Sequence, residues 1–199
     1  MSRQRVVLGI SGASGAAIGV RIAEILSQLP EIETHLVISP AALRTLAIEI
    51  GPDAVARLER SVAKRHPSDD IGAEIASGSV ATVGMIVAPC SMRTLSGIAS
   101  GIADNLIVRA ADVHLKERRP LILVARESPL HLGHLRSMTA VTEFGAVIAP
   151  PVPAFYLLPE RLSDIVDQIA LRTIDLLHLR GAPRPRAWAD HAGEQPSRE

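Results

Sequence analysis

Val6-Val7-Leu8-Gly9-Ile10 runs into Ser11-Gly12-Ala13-Ser14-Gly15, and residues 16–29 then carry apolar side chains at Ile18, Ile22, Ile25, Leu26 and Leu29. A short β-branched run, a glycine-rich turn and apolar residues at helical spacing predict strand, tight turn and helix. Outward from there the unit repeats. Residues 34–38 read as a second strand, Pro40 suits the first turn of a helix, and residues 41–50 continue it. A βαβα opening predicts a parallel sheet with helices on its faces.

Residues 54–63 predict a further helix, and the polar run His66-Pro67-Ser68-Asp69-Asp70 an ordered loop. Residues 85–88 form a third strand closed by Pro89-Cys90-Ser91, with helices over 94–100 and 104–117. Pro120 introduces a strand over 121–124, residues 131–143 a helix, and residues 146–149 a fifth and last strand. Pro150, Pro151, Pro153 and Pro159 hold an extended segment around Phe155-Tyr156, and residues 161–179 form a terminal amphipathic helix. Residues 1–180 therefore read as one domain. The tail over 181–199, rich in Pro, Arg, Gly and acids, is expected to be disordered or ordered only against another subunit.

Composition narrows the function. The 199 residues carry 21 Lys+Arg against 21 Asp+Glu, and no basic run exceeds Arg118-Arg119, so the chain lacks the field that nonspecific nucleic-acid binding needs. A single Cys builds no disulfide framework, and the five apolar residues after Arg5 are too few for a signal peptide. No apolar run approaches the ~20 residues of a membrane span. A cytoplasmic protein without nucleic-acid or membrane partners is expected.

A glycine-rich turn between strand and helix offers backbone N–H groups and a helix dipole to an anion. The dinucleotide pattern G-x-G-x-x-G fails, because Ile10 stands at its first glycine and the second strand ends in Ser39 instead of an acid. No G-K-[ST] is present, so a P-loop is also absent. A mononucleotide remains, with FMN the usual candidate. Ser39, Ser91 and Thr94 follow strand ends, where hydroxyls serve a ligand or cap a helix. Cys90 has no paired base and reads as a buried small residue. Arg109, Lys116, Arg126 and Arg172 are cations at element ends or on helices, and Glu127 follows one of them. His131 and His134 lack a third ligand, and Asp69-Asp70 with Glu74 has the wrong spacing for a magnesium-diphosphate cluster, so no metal is expected.

The stretches Gly9-Ile10-Ser11-Gly12-Ala13-Ser14-Gly15, Ala88-Pro89-Cys90-Ser91-Met92-Arg93-Thr94-Leu95-Ser96, Ala103-Asp104-Asn105-Leu106 and Leu115-Lys116-Glu117-Arg118-Arg119-Pro120-Leu121 resemble the UbiX family of flavin prenyltransferases. So do Arg126-Glu127-Ser128-Pro129-Leu130 and the segment from Gly145 through Pro153-Ala154-Phe155-Tyr156. The likeness covers roughly residues 5 to 175, and His131-Leu132-Gly133-His134-Leu135 is nearest the branch once called phenylacrylic or hydroxyarylic acid decarboxylase.

The resemblance implies an α/β, Rossmann-like (flavodoxin-like) three-layer parallel sheet that joins reduced FMN to dimethylallyl monophosphate. The product, prenylated FMN, serves UbiD-type decarboxylases. It further implies FMN contacts from Gly12, Ala13, Ser14, Ser39, the segment Ser91, Met92, Arg93 and Thr94, and Arg126. The donor phosphate falls to Arg109, Lys116, Arg126, Tyr156 and Arg172, with Glu127 and Ser14 beside the reacting atoms. A homo-dodecamer with sites at subunit junctions is expected. Chemically the set is sensible: breaking an allylic C–O bond needs cations for the departing phosphate, and a carboxylate can relay the proton lost on ring closure. Two alternatives are an FMN-dependent cysteine decarboxylase and a non-catalytic flavin-holding subunit. The first lacks its Pro-Ala-Met-Asn motif here, and the full set Lys116, Glu127, Tyr156 and Arg172 speaks against the second.

Overall fold

A computed structural model describes residues 3–188. Its strands are β1 (Gln4–Ile10), β2 (Ile32–Ile38), β3 (Lys64–His66), β4 (Gly84–Cys90), β5 (Leu121–Ala125) and β6 (Val147–Ile148). They form one sheet in the order β3-β2-β1-β4-β5-β6, and every pairing is parallel. The helices are α1 (Ala16–Ser27), α2 (Pro40–Glu49), α3 (Ala54–Ser61), α4 (Met92–Ser100), α5 (Leu106–Lys116), α6 (Leu132–Glu143) and α7 (Leu162–Asp175).

Two apolar cores sandwich the sheet, because successive side chains of a strand point to opposite faces. Val6, Leu8 and Ile10 of β1, Ile86 and Ala88 of β4, and Ile122 and Val124 of β5 pack with α1, α2, α3 and α7. Val7, Met85, Val87, Leu121 and Leu123 face the other way, onto α4, α5 and Val141 of α6. This is the three-layer α/β architecture the sequence predicts. Gly19 lets α1 approach closely: a Cβ there would stand 2.3 Å from the Ala88 carbonyl oxygen.

Several boundaries differ from the sequence expectation. There are six strands among the described residues instead of five, because β3 is a three-residue polar run whose strand character comes from pairing with β2, His35 opposite Lys64 and Val37 opposite His66. Three residues are too few to show a period. Strand β4 continues through Pro89 to Cys90 with its register against β5 shifted between Val87 and Cys90, as expected where a proline supplies no ladder N–H. Helix α4 starts at Met92, two residues before the expected start, and α7 ends at Asp175, four short of the expected end.

Residues 181–187 lie against the end of α7 and line a cavity with it, while the tail beyond Trp188 falls outside the described residues. No helix among the described residues is long and apolar enough to cross a membrane.

Candidate functional site

The chain leaves β1 toward β2 and later crosses to β4 on its other side, so the C-terminal ends of β1 and β4 part into a crevice. In open α/β sheets this is where ligands bind. Ser11 spans it. Its buried hydroxyl donates to the Pro89 carbonyl oxygen at 2.9 Å and accepts from the Ser91 N–H at 2.7 Å, and its own N–H donates to Pro89 at 3.2 Å. On the two flanks, Ser39 accepts from the Ala42 N–H at 3.2 Å to cap α2, and Ser91 accepts from the Thr94 N–H at 3.4 Å to cap α4. The capping role of both serines is therefore real. It leaves the Ser39 hydroxyl proton unspent within the described chain, whereas the Ser91 proton goes to Thr94 Oγ1 at 3.2 Å. One oxygen can thus cap a helix and still donate to a ligand.

The turn over 11–15 divides its tasks. Ala13 is buried, with its N–H on the Ser11 carbonyl at 3.0 Å, while Gly12 and Ser14 face outward and donate no N–H within the described chain. Gly12 is pressed on α2, where a Cβ would meet that of Ala41 at 2.4 Å. The first turn of α1 is occupied: Gly15 donates to both oxygens of Glu49 at 2.9 and 3.2 Å, and Ala16 to one at 2.8 Å. The sequence reading of this helix start as a phosphate cradle needs that correction. A carboxylate from the last residue of α2 already satisfies the donors that a phosphate would use, leaving Gly12 and Ser14. Glu49 stands 34 positions from Gly15, so no local pattern announces it.

Beyond the crevice, β5 ends in Ala125, and the Arg126 N–H donates to the Cys90 carbonyl at 3.0 Å. Arg126 and Glu127 are exposed there, with Glu127 accepting from the Ser128 N–H at 3.0 Å. Met92 is buried beneath the crevice, and Arg93 turns away to pair with Asp104 at 2.8 Å. Cys90 is fully buried and its thiol pushed up to about 12 by that burial, so it is an inert small residue. Outward N–H groups, hydroxyls and one guanidinium suit a phosphorylated mononucleotide. No acid ends β2, so the grip on an adenosine ribose is missing.

The remaining expected site residues lie elsewhere. Tyr156 and Arg172 line one cavity of about 740 Å³ between α7, residues 149–154 and residues 181–187. Arg172 bonds Asp175 at 2.5 Å, and the Tyr156 ring meets Trp188 edge-on with centroids 5.0 Å apart. Arg109 and Lys116 are on α5, on the opposite face of the sheet, paired with Asp112 at 2.6 Å and with Glu117. Lys116 ends α5 and precedes the start of β5, whereas Arg126 follows the end of β5. A strand of that length, at ~3.3 Å per residue, separates them by roughly 17 Å. One chain therefore presents three separate groups: the crevice, the Tyr156–Arg172 cavity and the cationic face of α5.

The Flavoprotein family model matches residues 1–172. Flavin prenyltransferase UbiX of Escherichia coli (strain K12) is 53% identical over 173 residues, covering 86% of this chain and 90% of that protein. The crystal structure of AnUbiX (PadA1) in complex with FMN and dimethylallyl pyrophosphate superposes with a TM-score of 0.86 at 44% identity, covering 94% of this chain and 99% of that one. A dodecameric FMN-dependent UbiX-like decarboxylase from Escherichia coli O157:H7 superposes with a TM-score of 0.88 at 44% identity, covering 93% and 99%.

Proposed function

This chain belongs to the Flavoprotein family and to the UbiX flavin prenyltransferases, and on that premise we propose how its residues share the work. It is a prenyltransferase that takes reduced FMN as substrate and forms prenylated FMN. The donor is dimethylallyl monophosphate, the bonds form at N5 and C6, and the recipient of the product is a UbiD-type decarboxylase.

The observation that carries this reading is the exposed Arg126–Glu127 pair at the open end of β5, tied through Cys90 to the β1/β4 crevice. FMN lies along that crevice against Ala13, its phosphate and ribityl oxygens taking N–H and O–H donors from Gly12, Ser14, Ser39 and residues 91–94, with Arg126 as counter-charge. Bound reduced FMN supplies the nucleophilic nitrogen and carbon. Glu127 stands where the proton lost on ring closure is accepted, and the Ser14 hydroxyl, held outward by the Glu49 clamp on Gly15, is its hydrogen-bonding partner.

Arg109, Lys116, Arg126, Tyr156 and Arg172 hold the donor phosphate and stabilise the charge it gains as the C–O bond breaks. Lys116 stands the length of β5 away from Arg126 of its own chain, and Arg109, seven residues before it, shares its face of α5. They serve the crevice of another copy, in a homo-dodecamer whose sites lie at subunit junctions.

Incubation of the full chain with reduced FMN and dimethylallyl monophosphate, followed by mass spectrometry of the released flavin, tests the activity. A flavin heavier by one prenyl unit is expected, and parallel incubation with the pyrophosphate fixes the donor. Glu127→Gln should still bind FMN but form product slowly or stall after the first bond. Unchanged product formation would remove Glu127 from the mechanism.

A further inference from the structure

Away from the crevice, at the opposite edge of the sheet pairing, β2, β3 and the short turn Glu74–Ala76 bring together three metal-ligating side chains. The Nδ1 of His35 lies 2.9 Å from the Nε2 of His66, both side chains are buried, and the two rings stack with centroids 5.2 Å apart. Glu74 faces this pair from the solvent side, and one ligand atom from each of the three lies within 4.8 Å of the others. We propose that His35, His66 and Glu74 form a site for a divalent transition metal, Zn²⁺ foremost, that pins the β3 edge to β2 and to the turn over 74–76.

The geometry needs little change to accept the ion. Zinc bonds imidazole nitrogen at ~2.0–2.1 Å, so two tetrahedral imidazole ligands stand about 3.3 Å apart. The rings would part by a few tenths of an ångström. Without metal, one imidazole donates an N–H to the lone pair of the other. With metal, both facing nitrogens are unprotonated and each ring carries its proton on the remaining nitrogen, a change of tautomer and not of charge. Burial, and for His66 also its neighbour His35, keeps both imidazoles below their ordinary range, so no imidazolium has to be discharged near neutral pH. Two imidazoles and one carboxylate, with water completing the set, suit zinc and disfavour magnesium.

The charges around the pair bear on the affinity. The hydrogen bond from Lys64 at 2.7 Å holds the Glu74 carboxyl below the usual carboxylate range, so an anionic ligand is ready. Lys64 is also the competitor: its ammonium occupies the carboxylate the metal would use, but its side chain is 56% exposed and free to swing into water. Arg5 adds a repelling charge, while Glu33 and Asp70 add attraction. The exposed side of Glu74 is the entry path. His35 and His66 lie 31 residues apart on separate strands, and β3 itself was not legible in the sequence, so ligand spacing gave no sign of the site.

The test uses the full chain, stripped with a chelator and titrated with Zn²⁺ by calorimetry, and with Co²⁺ as a spectroscopic probe. One Zn²⁺ per chain is expected at micromolar concentration, with intense tetrahedral Co²⁺ bands and a rise in the thermal midpoint. His66→Gln should abolish all three. Glu74→Gln, a solvent-facing change that leaves the buried pair intact, should weaken binding at least ~10-fold, since loss of an outer-shell partner alone costs about 10–100-fold. Cooperative unfolding of each metal-free variant checks that it folds. His131 and His134 on α6, with ring centroids 3.6 Å apart, are the rival pair. His131→Asn should leave zinc binding unchanged. Absence of stoichiometric zinc, its retention in both His66→Gln and Glu74→Gln, or its loss in His131→Asn would overturn the proposal.

Discussion

Ser11→Ala is the most direct probe of how the crevice is held. The substitution keeps the shape and opens no cavity, but it removes the one oxygen that both donates to Pro89 and accepts from Ser91. The Pro89 carbonyl retains the Ser11 N–H at 3.2 Å, so its loss is the smaller one, about 1 kcal/mol. The Ser91 N–H is left without its acceptor at a partly buried position, at ~1–3 kcal/mol. Together these predict a loss of about 2–4 kcal/mol, against the ~5–15 kcal/mol that holds a typical domain together. At a urea slope of ~1–3 kcal/mol/M the midpoint should fall by roughly 1 M or more, measured at fixed protein concentration because assembly couples to folding. Losing the anchor on the Ser91 N–H also loosens the start of α4, where the Ser91 and Thr94 hydroxyls sit, so FMN affinity, read by flavin fluorescence, should fall as well. Ser14→Ala, at an exposed position, should leave the urea midpoint unchanged. A Ser11→Ala midpoint equal to the unsubstituted chain's would refute the argument that this hydroxyl ties β1 to β4.

Burial drives the His114 imidazole down to about 4, against hydrogen bonding to the Ala110 carbonyl at 2.7 Å. The unfolded chain takes up this proton near pH 6.5, so the stabilisation is complete above that pH and is lost as pH falls toward about 4. The unfolding free energy, read from urea titrations across that window, should decline by an amount on the order of 3 kcal/mol in all, and His114→Gln should flatten the decline. Gly19→Ala forces a methyl against the Ala88 carbonyl at 2.3 Å and should cost about 1–3 kcal/mol in the same assay. Cys90 should resist alkylation at neutral pH until urea unfolds the chain, because its thiol titrates only at about 12. Lys116→Ala and Arg172→Ala chains should each be poorly active alone, yet mixed oligomers should regain activity at roughly a quarter of their sites if the two groups come from different copies. No recovery on mixing would place both in one chain's site.

The β-branched run of Val6 to Ile10, the glycine-rich turn, the helical spacing of residues 16–29 and the repeat of that unit were enough to predict a parallel α/β sheet, because a strand, a turn and an amphipathic face are each decided within a few residues. Ser39 and Ser91 were legible as helix caps for the same reason, and Cys90 as a buried small residue. The arrangements set by residues far apart in the chain were not. Strand β3 exists only because β2 offers it an edge, Glu49 fills the first turn of α1 from the far end of α2, and Ser11 bridges to Ser91 across the sheet. The cationic residues show the distinction most clearly. The family resemblance assigned them to a phosphate, but their division into a crevice, a cavity and an opposite helix face follows from the sheet's order and the antiparallel return of its helices. Whether two such groups meet is a property of packing, which residue type and order along the chain do not disclose.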